Sequence, residues 1–279
     1  MIFKARDKYF DLDKKPLIMG VLNMTPDSFS DGGKFLEPEK AFFQCEKMIR
    51  EGADIIDIGG ESSRPGSEPV SSQEESDRIL ETLRSLKQDF DICISADTYK
   101  PEVARSALLE GAGMINNIFG IKNDPDMLKT VSEFKAGYCI MHIKGIPGMM
   151  QKDTEYEDII NEVSSWLKNS VEAAENAGIT KEYITIDPGI GFGKDMEGNL
   201  KILKELKSFA ALQLPVLIGT SRKSFIGKIL NEESEGRLFG TIASNVAALM
   251  NGARIFRVHD VKENRQAIDT AFAIMNSGK

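Results

Sequence analysis

The chain is short of most features that mark a secreted, zinc-built or membrane protein. It has only three cysteines in 279 residues, Cys45, Cys93 and Cys139. None sits in a CxxC pair and all lie in apolar stretches, which excludes a disulfide framework and points to buried free thiols in a reducing compartment. The two histidines, His142 and His259, are far apart in sequence and lack zinc spacing. The opening residues, MIFKARDK, have no apolar signal core, and no run approaches the ~20 apolar residues of a membrane span. Excess positive charge is missing too. The net charge is −8, which argues against nucleic-acid or anionic-membrane partners and requires a local cluster of cations for any bound anion. The expected setting is cytoplasmic, with small-molecule partners. There is no Walker loop, GxGxxG fingerprint or nucleophile elbow. Gly189-Ile-Gly191-Phe-Gly193-Lys194 comes near a phosphate loop and matches neither glycine pattern.

What is present is an ordinary globular composition, 41% hydrophobic and 28% charged, and a repeated pattern. Eight short apolar runs lie near Leu17–Leu22, Ile55–Ile58, Ile92–Ala96, Met114–Ile118, Tyr138–Met141, Tyr183–Ile186, Val216–Ile218 and Ile255–Val258. They are continuously apolar, as parallel strands covered on both faces are. Their polar ends are Asn23, Asp57 with Glu61, Asp97, Asn116, His142, Asp187, Lys223, and Arg257 with His259. Between runs the period becomes helical, with stripes at Ala41/Phe42/Cys45/Met48/Ile49, Ile159/Ile160/Val163/Trp166/Leu167 and Ile268/Ala271/Phe272/Met275. Gly52, Gly111, Gly178 and Gly252 read as helix stops. Ser71-x-x-Glu74 reads as a capping box and Asp124-Pro125 as a helix start. Eight strand–helix units with polar groups at one strand end predict a single (β/α)8 TIM barrel over residues 1–279, with its site at the C-terminal face. The loops after strands 1, 2 and 5 are long and lie on that face, where long loops usually carry function. Residues 1–16 are expected to pack as an extension on the barrel bottom.

Arg257 and His259 alternate on strand 8 and so share a side, and Lys223 follows strand 7. Loops 7 and 8 are where such barrels commonly hold phosphate. A strand-end salt bridge is the other reading of Arg257, because a buried arginine needs a partner. Asp97, Asn116 and Asp187 around one mouth suit a flat heterocycle with a row of N–H donors, although Asp97-Thr98 and Asp187-Pro188 also make good turns. The loop after Asn23 is small, polar and glycine-rich around Phe29, as a lid is. A neutral Asn23 oxygen beside a phosphate suits a weakly held Mg²⁺.

Several segments together resemble the dihydropteroate synthase family of pterin-binding enzymes. They are Met19-Gly-Val-Leu-Asn-Met-Thr-Pro-Asp-Ser-Phe-Ser-Asp-Gly-Gly33, Asp54-Ile-Ile-Asp-Ile-Gly-Gly-Glu-Ser-Ser-Arg-Pro-Gly66, Asp187-Pro-Gly-Ile-Gly-Phe-Gly-Lys194, Ser221-Arg-Lys-Ser-Phe-Ile-Gly227 and Arg257-Val-His-Asp260. The first two are long and specific, and the likeness runs from strand 1 to the last helix. It implies a transferase that condenses (7,8-dihydropterin-6-yl)methyl diphosphate with 4-aminobenzoate to 7,8-dihydropteroate in folate biosynthesis, and a sulfonamide target. It also implies the residue roles. Asp97, Asn116, Asp187, Gly219 and Lys223 would bind pterin, with Ile118, Met141 and Phe192 as walls. Asn23, Arg257 and His259 would take the diphosphate and Mg²⁺, joined by Ser63 and Arg64. Phe29, Pro65 and Ser224 would shape the aminobenzoate pocket. Family members pair through the last barrel helices, here Thr241–Met250 and Lys262–Met275, so a homodimer is expected.

Three positions depart from the family pattern: Asn117 where aspartate is usual, Ser63 for threonine, and Lys144 for glutamine. On a strand, Asn117 points away from Asn116. A cobalamin-linked methyltransferase on the same kind of barrel needs neither the diphosphate residues nor the lid. A silent pterin binder would lack the lid or the Arg257–His259 pair. The chain has both features, so its sequence favours the synthase.

Overall fold

Parallel strands close around one axis in the computed structural model, which describes residues 1–25, 38–62, 67–120, 124–146 and 149–278. A short hairpin, β1 (Ile2–Ala5) and β2 (Lys8–Asp11), comes first. The barrel strands are β3 (Leu17–Asn23), β4 (Ile55–Gly59), β5 (Cys93–Asp97), β6 (Met114–Asn117), β7 (Gly137–Met141), β8 (Ile184–Asp187), β9 (Leu217–Ile218) and β10 (Ile255–Val258). Their order is β8-β7-β6-β5-β4-β3-β10-β9, and a parallel bridge between Ile186 and Val216 joins the ends into a nearly closed barrel. The predicted strands differ from these by a residue or so. Tyr183 belongs to a 3₁₀ turn, Lys181–Tyr183, rather than to β8, and Val216 makes only the closing bridge.

The connecting helices are α1 (Pro38–Arg50), α2 (Ser72–Asp89), α3 (Pro101–Leu109), α4 (Pro125–Phe134), α5 (Ile159–Asn176), α6 (Met196–Lys204), α7 (Ser224–Leu230), α8 (Leu238–Met250) and α9 (Val261–Met275). The three apolar stripes lie in α1, α5 and α9. Ser71 Oγ accepts the Glu74 N–H at 3.1 Å, which is half of the capping box, while the Glu74 carboxylate turns to Arg78 instead; Asp124 accepts from Asp126 and Met127 ahead of Pro125 at the first turn. Gly52, Gly111, Gly178 and Gly252 all have φ between 91° and 106°, a region closed to most side chains.

Strand parity divides the core. Ile56, Ile58, Ile94, Ala96, Ile115, Ile140, Ile186 and Phe256 face the helices in one large cluster. Leu17, Met19, Ile55, Cys93, Met114, Cys139, Leu217 and Ile255 fill the lumen near the strand starts, where Phe3, Ala5 and Leu12 of the hairpin segment pack on them. Closing that end with apolar side chains leaves the polar inward positions for the opposite end. All three cysteines are free and buried, and burial pushes the Cys45 and Cys93 thiols up to about 12, so they are inert.

Candidate active site

A carboxylate two residues into a barrel strand must be paired or pay heavily in solvation. Asp57 on β4 is fully buried and is paired twice: it accepts from Arg257 Nε at 2.6 Å and from Asn116 Nδ2 at 3.0 Å. The Arg257 guanidinium also donates to Asp97 at 2.6 Å, so it spans the lumen from β10 to β4 and β5. Both readings of Arg257 therefore meet in one place, because the ion-paired cation stands at the inner mouth. Burial holds the Asp97 carboxyl up at about 7, with Arg257 pulling it down and Asp57 adding to the rise. Burial works against the Arg257 cation, yet Asp57 and Asp97 hold it above the ordinary arginine range.

Across the mouth, Asp187 ends β8 in register with Met141 of β7. Its Oδ1 accepts the Gly189 N–H at 2.7 Å, and burial raises its pKa, with Lys223 the main opposing charge. Lys223 precedes α7; its ammonium donates to the Ile190 carbonyl and lies 4.6 Å over the Phe192 ring. Burial lowers it to about 8, with Asp187 opposing. Ile118 and Met141 are buried in a small apolar cluster against which Phe192 packs. Gly219 borders Arg257: a β-carbon there would stand 3.8 Å from that of the arginine.

Asn23 ends β3, and Ser224 opens α7 beside Lys223. His259 follows β10. Ser221 Oγ accepts the His259 backbone N–H at 3.2 Å and meets its Nδ1 at 2.9 Å. With the hydroxyl donating to Nδ1, the ring is the Nε2–H tautomer, a donor suited to an anion. The fold thus gathers Asp97, Asn116 and Arg257 through Asp57, and Asp187, Lys223, Phe192 and Met141 on the facing wall. Phe29, Ser63, Arg64 and Pro65 lie outside the described residues.

Two polar groups at the site have no role in the sequence reading. Asp57 appears there only as the end of a run, although its inward parity was a signal. Lys194 is buried against His142. Two of the three departures also find places. Asn117 points to the helix side, where its amide donates to Tyr138 Oη at 2.9 Å and to the Gly120 carbonyl at 3.0 Å and accepts from Phe119 N–H. Lys144 pairs with Asp153 at 2.7 Å and lies over the Tyr156 ring.

Comparison with known proteins agrees with this geometry. The profile of the pterin binding enzyme family matches residues 19–259. A dihydropteroate synthase of Clostridium beijerinckii is 45% identical over 265 residues, 95% of this chain and 96% of its own. A Yersinia pestis dihydropteroate synthase solved with a sulfonamide drug superposes with a TM-score of 0.94 at 39% identity, covering 99% of this chain and 100% of the other. A Xanthomonas albilineans dihydropteroate synthase in complex with 7,8-dihydropteroate gives 0.89 at 36% identity, covering 99% of each. The chain belongs to the pterin binding enzyme family and, within it, to the dihydropteroate synthases, transferases of folate biosynthesis.

Proposed function

We propose a division of labour for the condensation of (7,8-dihydropterin-6-yl)methyl diphosphate with 4-aminobenzoate to 7,8-dihydropteroate and diphosphate. The observation that carries it is the meeting of Asp187, Asn116 and Asp97 with Lys223 and Arg257 in one mouth walled by Met141, Ile118 and Phe192. Asp187 accepts the aminopyrimidine N–H groups, and Asn116 and Asp97 read the remaining ring edge. Lys223 donates to a ring acceptor. Arg257, His259 and Asn23 face the diphosphate, with Ser63 and Arg64 joining them, while Phe29, Pro65 and Ser224 shape the aminobenzoate pocket.

In the reaction the methylene C–O bond breaks, pyrophosphate leaves with the electron pair, and the arylamine nitrogen bonds to the methylene carbon. The resulting arylammonium loses its proton to pyrophosphate or water, so no side chain has to act as general base. Fixed cations that meet charge building on the leaving group supply the main acceleration, with alignment of the weak arylamine nucleophile adding to it.

The donor set at Asn23 fits a Mg²⁺ ion that arrives with the diphosphate. The Asn23 amide makes no hydrogen bond among the described residues, and no cluster of three His, Cys, Asp or Glu suited to a metal occurs among them. A lone neutral oxygen holds Mg²⁺ only when phosphate and water complete its shell. Bound there, the ion would neutralise diphosphate charge.

Lys223 gives a pH dependence. With its free-enzyme pKa near 8, its cation is present below that value and lost above it. The kcat/KM for the pterin substrate, which reports the free enzyme, is therefore expected to fall as pH rises through about 8. Steady-state rates on the parent and on Lys223→Gln test this, and an alkaline limb that survives in the variant would assign it elsewhere.

A second copy of the chain is proposed to cover α8 and α9, where Phe239 and Ile274 are exposed beside a groove lined by Ile242, Val246 and Ala271. Light scattering tests the homodimer. No described helix is long and apolar enough to cross a membrane, and with three free thiols the cytoplasm is the proposed location. The function itself is tested by pyrophosphate release from the pterin substrate with Mg²⁺, with and without 4-aminobenzoate. Release coupled to dihydropteroate is expected; tight pterin binding without release would mark a silent binder.

A further inference from the structure

The loop after β8 closes one turn on its own backbone, with the Phe192 N–H donating to the Gly189 carbonyl at 3.1 Å. Gly189, Gly191 and Gly193 all take left-handed φ values, 72°, 83° and 65°, and glycine backbone costs the most entropy to fix. Each turn is also tied by a side chain. Asp187 accepts the Gly189 N–H, Asn199 accepts the Gly191 N–H at 2.6 Å, and Tyr156 donates to the Gly193 carbonyl at 2.9 Å. Lys194 supplies the tie to β7. Its amine stands 2.9 Å from His142 Nδ1, 2.9 Å from the Phe192 carbonyl and 3.5 Å from the His142 carbonyl.

A lysine amine offers N–H donors, and three acceptors surround this one. His142 directly follows Met141; its N–H donates to the Asp187 carbonyl at 2.9 Å, and its ring sits edge-on to Trp166 at 5.1 Å. The loop packs so tightly on this strand end that a β-carbon at Gly189 would come 1.9 Å from the His142 carbonyl. Lys194 is only 2% exposed, and no carboxylate lies within ion-pair distance of it among the described residues. Burial drives its pKa well below the ordinary lysine value. Burying an amine with no carboxylate partner is a stability cost that an apolar chain of similar length would remove.

We propose that Lys194 is a positioning residue of the pterin slot, clamping the Phe192 carbonyl to the end of β7 so that the Phe192 ring meets Lys223 and Asp187 stays level with Met141. This rests on the reading that pterin occupies that slot. Lys194 acts through Phe192, so the two are coupled even though the lysine touches only the backbone of its neighbour.

The test is a double-mutant cycle of Lys194→Met and Phe192→Ala, read as calorimetric Kd for the dihydropterin alcohol, with melting temperature and aminobenzoate KM measured alongside. In K194M the melting temperature is expected to hold or rise. Pterin Kd weakens by about 10–100-fold, the scale of a displaced positioning group, and aminobenzoate KM stays put. F192A then costs much less in the K194M background than in the parent, the non-additivity expected of coupled residues. An unchanged pterin Kd in K194M, an additive cycle, or a parallel loss of melting temperature and of both substrate constants would each overturn the proposal. If K194M does not fold, Lys194→Gln carries the same cycle. Asp187→Ala separates the two levels of inference: retained pterin binding there sinks the slot itself, whereas lost binding with an additive cycle sinks only the role of Lys194.

Discussion

Arg257→Ala is expected to lower turnover at least ~100-fold, the effect of removing a preorganised charge from a reacting centre, and to destabilise the fold as well. The two losses have different origins. Turnover falls because the guanidinium that meets the departing diphosphate is gone. Stability falls because Asp57 and Asp97, bridged by one guanidinium at 2.6 Å on each side, become two uncompensated carboxylates facing one another in the lumen, and breaking a buried pair typically costs about 3–5 kcal/mol. Titration separates the two effects. Burial already holds Asp97 up at about 7 against the pull of Arg257, and in the variant it rises further. The folded variant then keeps a proton that the unfolded chain gives up above about pH 4. The parent's Asp97 also keeps its proton up to about 7, so this carboxyl lowers the stability of both proteins from about pH 4 to about 7 and goes on lowering that of the variant above about 7. Melting curves should therefore show the deficit of R257A against the parent steady below about pH 7 and widening above it, with no matching change in relative turnover. Asp57→Asn provides the control, because it leaves Arg257 its contact with Asp97 and removes one of the two opposed charges. A smaller stability loss than in R257A is expected; near-normal kinetics in R257A would remove Arg257 from the site.

The barrel and the rim were legible because they are written locally. Strand runs, helix stripes and stopping glycines each occupy a few consecutive residues, and a residue at the end of an inward-facing run must point into the mouth whatever its partner is. That argument places Asp97, Asn116 and Asp187 at the rim. The partners were not legible, because Arg257 reaches Asp57 across 200 residues of chain and parity says only that both face inward. Asn117 shows the strength of the local argument: its predicted turn away from Asn116 is borne out by its bonds to Tyr138 and Gly120. Lys194 shows the weakness. Inside a glycine-rich run ending in lysine it looks like a failed phosphate loop, and nothing in the sequence tells that its amine is buried on His142 rather than offered to a ligand. Tyr183 departs from β8 for a smaller reason: a 3₁₀ turn keeps it half-buried with the same apolar signature as a strand.

Asp187→Ala should abolish measurable pterin binding, and the size of the loss follows from what the carboxylate does unaided. One oxygen already caps the loop through Gly189 N–H at 2.7 Å, so alanine frees that turn at the same moment that it removes the acceptor for the substrate. Hydrogen bonds to a charged group are worth about 1.5–3 kcal/mol each. Two to an aminopyrimidine edge therefore correspond to a loss of roughly 10²–10⁴-fold in affinity. Desolvated N–H donors left without a partner push the penalty toward the upper end, as in sites built to recognise a polar edge. A third effect adds to these. Asp187 is the charge that opposes the burial-driven fall of the Lys223 pKa, so without it Lys223 titrates below 8 and is less charged at neutral pH. Asp187→Asn distinguishes the contributions. It can still accept the Gly189 N–H, but it turns a donor toward the substrate's own N–H and removes the charge beside Lys223. Calorimetry on the two variants should find both severely weakened, with D187N no better than D187A if recognition dominates and clearly better if the loop cap does. Parent-like affinity in D187A would mean that the pterin edge is read from another wall of the barrel.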